Sequence, residues 1–184
     1  MLLCSEILIA IYRFLPLLQN RLYMAKLYIN KDIVADKDKM ENWYLTGEEG
    51  LSFPDIQNFL SWIDPNDHVI DIEIHSCGGD AVEGYAIYDA LRASGKQISC
   101  TAVGRCASMA TVILLAAAKE RRFAYPHAKF LIHKPYMASY DGDLDHETLE
   151  SIKSNLESEK NKMLALYVER TGAEASVIEA QMNK

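Results

Sequence analysis

Gly104-Arg105-Cys106-Ala107-Ser108-Met109-Ala110-Thr111-Val112-Ile113-Leu114-Leu115 is the stretch from which the rest of the chain can be read. An apolar β-type run over residues 98–103 leads into its glycine, and a serine stands where an apolar helix should begin. The first N–H groups of a helix have no partner within it, and the dipole there favours negative charge. A hydroxyl at that point can act as a nucleophile, with neighbouring backbone N–H groups holding an oxyanion. A serine before a helix is also an ordinary N-cap. The segment alone leaves both readings open. Two others bear on the choice: Ser76-Cys77-Gly78-Gly79 upstream and Leu131-Ile132-His133-Lys134-Pro135 downstream.

Upstream, residues 68–75 alternate as a strand, with Val69, Ile70, Ile72 and Ile74 apolar, and run straight into the glycine pair. A helix is predicted over 81–93, ending near Gly95. Earlier, residues 27–30 and 33–34 read as a first strand and the polar residues 35–50 as a loop. Ser52 is the expected N-cap of a helix over 53–63, with Pro54 in its first turn and Ile56, Phe59, Leu60 and Ile63 on one face. Asp64-Pro65-Asn66-Asp67 then makes a turn.

Downstream, the apolar run 107–118 fits a buried helix, and 122–125 and 129–132 read as short strands around Pro126-His127. After a polar excursion at 137–143, a long helix is expected over 144–170. Leu149, Ile152, Leu156, Met163 and Tyr167 form its stripe, and Gly172 follows its end. A last helix begins near Ala173 and is still running at Lys184. Alternating strands and helices imply an α/β domain with largely parallel strands. No GxGxxG or P-loop pattern is present.

Composition narrows the classes of function. At 184 residues the chain reads as one domain, 49% hydrophobic and 24% charged. A net charge of −7 argues against nucleic acid as a partner. Cys4, Cys77, Cys100 and Cys106 show no metal-binding spacing and read as reduced thiols of a cytoplasmic protein. No segment reaches the ~20 apolar residues that span a bilayer. Residues 1–23 are apolar in part but broken by Arg13 and Pro16, with Glu6 ahead of the apolar stretch. They read as a non-native or disordered extension, with translation starting at Met24. A cleaved signal or an amphipathic anchor is the lesser reading.

The chemistry-bearing residues outside the opening stretch are Gly78-Gly79 and His133. Paired glycines after a buried strand allow unusual backbone angles and close approach of a ligand, although a plain strand–helix turn also uses glycine. A histidine ending an apolar strand suits a general base near neutrality, its ordinary pKa being ~6.5, and a structural histidine is the bland alternative. His75 and His127 compete with His133 for the role.

Together these pieces resemble the ClpP family of serine peptidases. Where that family ends a strand in Asn-Ser-Pro-Gly-Gly, this chain has His75-Ser76-Cys77-Gly78-Gly79, followed by the family's Ile-Tyr-Asp element as Ile87-Tyr88-Asp89. The family's Gly-x-Ala-Ala-Ser-Met is matched by Gly104-Arg105-Cys106-Ala107-Ser108-Met109, and its Met-Ile-His-Gln-Pro by Leu131-Ile132-His133-Lys134-Pro135. The separation 133 − 108 = 25 also fits, and the resemblance covers about residues 27–184. The acidic segment before Ser52 looks more like the phage and prophage branch, which includes head-maturation peptidases.

The resemblance implies a ClpP/crotonase-type α/β fold of repeated β-β-α units with a long handle helix from about Leu144. It implies a serine endopeptidase acting on peptides or unfolded protein, with Ser108 as nucleophile, His133 as base, and the N–H groups of Gly79 and Met109 as oxyanion hole. It implies a heptameric ring, in one or two stacked layers, with an ATP-driven unfoldase or phage capsid proteins as context. No metal, organic cofactor, nucleic acid or membrane is implied.

Three departures stand out. Cys77 replaces the family's proline and should loosen the glycine turn, His75 replaces its asparagine, and Cys106 replaces a small residue beside the nucleophile. Cys106, among apolar neighbours, reads as inert packing. By the spacing from Thr171-Gly172, the family's third catalytic acid is expected just after Lys184, which reads as a C-terminally truncated chain lacking its closing strand and helix. Asp141, Asp143 or Asp145 are the alternatives within the sequence. Two other readings remain open: a catalytically inactive ring scaffold, motivated by Cys77 and the missing acid, and a crotonase-type acyl-CoA enzyme sharing the oxyanion-hole logic.

Overall fold

Isoleucines at every second position build the centre of the sheet. Ile70, Ile72 and Ile74 are fully buried in strand β2 (Val69–Ser76), while Asp71, Glu73 and His75 between them point away from the core. In this computed structural model, which describes residues 24–137 and 142–183, β2 lies between β1 (Met24–Ile29) and β3 (Gln97–Ala107), parallel to both. The expected extension 1–23 and Asp141 lie outside the described residues. Strands β4 (Arg122–Ala124) and β5 (Lys129–Leu131) pair with β3 in succession, at 100–102 and 105–107, and again run parallel. The fold is the expected mixed α/β type with a parallel sheet.

Several expected boundaries move. Residues 35–50 are not a plain loop, because a 3₁₀ turn at Asp36–Asp38 leads into helix α1 (Lys39–Thr46). The Lys39 ammonium lies 3.0 Å from Asp36 and 2.7 Å from Asp55, and Gly47 closes the helix at φ 80° with its N–H on the Trp43 carbonyl. No residue of α1 is buried, so apolar periodicity could not announce it. The first strand stops at Ile29, and Ile33 makes isolated bridges to Leu51 and Gly79 instead of extending it.

Helix α2 (Phe53–Trp62) starts after Ser52 as expected, the Asp55 carboxylate accepting the Ser52 N–H at 2.8 Å. Only Ile56 of its predicted face is buried. Helix α3 (Ala81–Ala93) keeps its predicted span. The Asp80 carboxylate caps it on the Glu83 N–H, and Ile87, Tyr88 and Leu91 are buried. Strand β3 runs past Gly104 to Ala107, since β5 supplies partners for residues 105–107. Helix α4 (Met109–Leu114) is correspondingly short, with all six residues buried, and the apolar run beyond it continues in turns.

The chain divides into two units, one ending at Leu131 and one beginning at Ile132. The second holds helix α5 (His146–Thr171) and helix α6 (Ala175–Met182). Asp145 caps α5 by accepting the Thr148 N–H at 2.7 Å, and Gly172 ends it at φ 74°. Met163 and Tyr167 of α5 and Ile178 and Met182 of α6 are buried, whereas Leu149 at the start of the predicted stripe is half exposed. Lys160 joins the helices through Glu157 at 2.8 Å and Glu179 at 3.2 Å. Helix α6 ends at Met182 rather than running on to Lys184. Among the described residues, no helix is long and apolar enough to cross a membrane.

Candidate active site

The strand-to-helix turn between β3 and α4 is where the first unit stores backbone strain. Ser108 has φ 52° and ψ −128°, and no other non-glycine residue has a positive φ among the described residues. Such angles cost ~1–3 kcal/mol and survive only where the surroundings fix them. Here they are fixed from both sides. The Ser108 N–H donates to the Leu131 carbonyl at 2.8 Å, and its own carbonyl accepts the Thr111 N–H at 2.9 Å and hydroxyl at 2.6 Å. The side chain makes no capping bond. The ordinary N-cap reading of Ser108 therefore does not describe this structure: the hydroxyl is not used to hold the helix.

The glycine turn packs against that serine. Gly78 and Gly79 have φ 86° and 142°. A Cβ on Gly78 would stand 2.5 Å from the Ala107 carbonyl oxygen, 2.7 Å from the Met109 nitrogen and 2.7 Å from the Ser108 Cβ. A Cβ on Gly79 would overlap the backbone of Ile33. Ile33 clamps the turn, its N–H donating to the Gly78 carbonyl at 2.8 Å and its carbonyl accepting the Asp80 N–H at 2.8 Å. Ser76 adds to the clamp by donating to the Lys31 carbonyl at 2.7 Å and accepting the Gly78 N–H at 3.0 Å. The cysteine at position 77 has thus not undone the turn.

Neither the Gly79 N–H nor the Met109 N–H has an acceptor among the described residues. An oxyanion site requires backbone donors that are free in this way. Met109 is itself 1% exposed and packed across Gly84.

The cysteines divide sharply. Cys106 is buried two residues before Ser108, and burial pushes its thiol far above the ordinary value. Burial likewise pushes the Cys100 thiol up to about 12. Neither is a thiolate at neutral pH, so neither competes with Ser108. Cys77 is exposed, and its sulfur accepts a hydrogen bond from Arg105 Nη1 at 2.9 Å. Sequence reasoning passed over Arg105.

The histidines also separate. His75 Nδ1 accepts the Arg105 N–H at 3.2 Å, which gives that nitrogen a structural task. His127 is exposed in the turn before β5. His133 belongs to the second unit and is half-buried. Its Nδ1 lies 2.6 Å from the Lys134 carbonyl oxygen, and its ring lies 5.5 Å from that of Tyr136. A carbonyl only accepts, so in this contact Nδ1 is the donor, and in a neutral ring the lone pair then lies on Nε2, the arrangement a general base needs. Asp145, one alternative for the third acid, is spent on the α5 cap, whose Thr148 N–H holds its carboxyl below the ordinary range. The first unit thus gathers Ser108, Met109, Gly78 and Gly79, and the second carries His133.

Comparison with known proteins adds the family. A family model described as Clp protease matches residues 55–184. The chain belongs to the Clp protease family. It is 32% identical over 130 residues to the ATP-dependent Clp protease proteolytic subunit 1 of Chlamydia muridarum, a match covering 68% of this chain and 65% of that protein. It is 31% identical over 126 residues to the ATP-dependent Clp protease proteolytic subunit of Solanum tuberosum, covering 68% and 62%. The match to these relatives thus spans less than two thirds of their own length. Among solved structures, a ClpP1 mutant from Listeria monocytogenes superposes with a TM-score of 0.67 at 21% identity, covering 88% of this chain and 80% of that one, a likeness of fold.

Proposed function

We propose that this Clp protease family member is a serine endopeptidase that cleaves peptides or unfolded protein through an acyl-enzyme. The observation that carries the reading is the Ser108 turn, a strained serine whose hydroxyl does not cap its helix, packed against the Gly78-Gly79 turn, with the Gly79 and Met109 N–H groups free of acceptors among the described residues. In this reading Ser108 Oγ attacks the scissile carbonyl carbon while His133 Nε2 takes the hydroxyl proton. The oxygen that becomes negative is received by the Gly79 and Met109 N–H groups. Collapse breaks the C–N bond, and His133 returns the proton to the leaving amine. Water then attacks the acyl-serine by the same route and restores the hydroxyl. Pairing His133 with Ser108 rests on the sequence pattern and on the tautomer its own backbone contact favours.

Peptide hydrolysis itself consumes no ATP. The relatives' description as proteolytic subunits of ATP-dependent proteases supports an ATP-driven unfoldase as partner, and the motif resemblance alone suggests a ring of identical subunits as the working form. We place the chain in the phage and prophage branch on its acidic segment before Ser52, and its setting in the cytoplasm. Capsid proteins are then a second class of substrate.

The test is turnover of a fluorogenic peptide by the purified chain and its variants. Ser108→Ala should remove essentially all activity, and His133→Ala should lower kcat by a factor of the order of 10⁴ or more. Hydrolysis that survives Ser108→Ala at the unaltered rate would overturn the reading.

A further inference from the structure

Next to the serine turn, a second group of reactive side chains lies at the C-terminal ends of β2 and β3. Arg105 is held at both ends, its backbone N–H on His75 Nδ1 at 3.2 Å and its Nη1 on the Cys77 sulfur at 2.9 Å. The His75 ring occupies the space that a Cβ on Gly104 would need, so the glycine there admits the imidazole. Cys77 and Arg105 face a cavity of about 290 Å³ that Lys31, Asp32 and Glu48 also line. The proposed peptidase chemistry uses none of these side chains. The Cys77 sulfur thus has a guanidinium donor within hydrogen-bond distance, and the contact raises the pKa of Arg105 above its ordinary value. Cys100 and Cys106 are buried and offer no such opportunity.

We propose that Cys77 is a thiol-exchange site for small zwitterionic disulfides of the amino-acid or short-peptide class. The guanidinium has five N–H donors, so Arg105 can hold the sulfur with one edge and a carboxylate with another, Lys31 adding its charge. Asp32 and Glu48 supply the opposite sign for the reagent's ammonium. In the exchange the Cys77 thiolate attacks one sulfur of the disulfide. A bond forms between that sulfur and Cys77, the reagent's S–S bond breaks, and its other half leaves as a thiolate that takes a proton from solvent. The disulfide is itself the oxidant, so none other is needed.

The experiment uses the whole chain carrying Cys4→Ser, because Cys4 lies outside the described residues. It is treated at neutral pH with glutathione disulfide and, separately, with uncharged hydroxyethyl disulfide. Intact mass gives the rates and peptide mass spectrometry the site. The expected adduct is on Cys77 and absent from Cys100 and Cys106. Glutathione disulfide should react faster by about tenfold, the ratio that one charge-assisted contact of ~1.4 kcal/mol provides. Arg105→Gln should slow both reagents and abolish the preference, and Arg105→Lys should restore part of it. An adduct on another cysteine, equal rates for the two reagents, or an Arg105→Gln protein that reacts as fast as the unaltered chain would each overturn the proposal. If Arg105→Gln does not fold, the reagent preference and the site of the adduct in the unaltered chain decide alone.

Discussion

Replacing Gly78 by alanine separates a tightly packed glycine turn from an ordinary one. Gly78 sits at φ 86°, where an L-residue costs ~1–2 kcal/mol. Its new Cβ would meet the Ala107 oxygen at 2.5 Å and the Met109 nitrogen at 2.7 Å, both backbone atoms of the serine turn. Relief then requires moving that backbone, and overpacking of this kind adds ~1–3 kcal/mol. The sum is about 2–5 kcal/mol, or about 4–20 °C in Tm for a chain of this size. Gly95→Ala is the matched control: φ is 70° and nothing lies within 4 Å of the added Cβ, so only the conformational cost remains. Urea denaturation gives the stability of each variant, and the rate of fluorophosphonate capture well below the transition reports on Ser108. Gly78→Ala should lose ~1–3 kcal/mol more than Gly95→Ala and label on the order of a hundredfold more slowly, as if an oxyanion donor were lost. Equal losses in the two variants, or unimpaired labelling of Gly78→Ala, would refute the close packing inferred here.

Three further outcomes are expected. Ser108→Gly and Ser108→Ala should both abolish probe capture, with Ser108→Gly the more stable by ~1 kcal/mol because glycine accepts φ 52° without strain; thermal denaturation showing the reverse order would contradict the strain. The buried thiols predict alkaline sensitivity. Cys100 ionises near 9.0 when unfolded and about 12 when folded, and Cys106 shifts the same way. The stability they contribute is therefore complete below pH ~9 and falls as pH rises toward ~12, and a Cys100→Ala/Cys106→Ala protein should show a flatter profile in urea melts above pH 9. Ser52→Ala removes the hydroxyl contacts to Asp36 at 3.0 Å and Asp55 at 3.1 Å and should cost ~1 kcal/mol by urea denaturation; an unchanged midpoint would show that the hydroxyl contributes nothing.

What could be read in the sequence is what local pattern dictates. The isoleucine alternation in β2, the Ala81–Ala93 span of α3 and the Gly172 stop of α5 each follow from local period or terminator. Ser108 and the glycine pair each stand at the strand-to-helix turn that their own sequence context suggests, because strand end and helix start are local events. Long-range terms hid the rest. Helix α1 depends on Lys39 reaching Asp55, sixteen residues on, and buries nothing. β3 outran its expected end because β5 lies alongside it, a pairing no window of sequence contains. The Cys77–Arg105 contact was invisible because the pairing register shifts between Ile74 and Ser76, just where it would have to be counted. The unused capping potential of Ser108 was equally beyond pattern, since a cap and a nucleophile differ only in backbone angles.

The central claim is that Ser108 is an activated nucleophile, and covalent capture tests it most directly. The folded chain is incubated with a fluorophosphonate probe and the adduct is located by peptide mass spectrometry. The account predicts one adduct, on Ser108, absent from Ser108→Ala and formed far more slowly in His133→Ala. A folded protein that leaves Ser108 unlabelled, or carries the probe elsewhere, would contradict it.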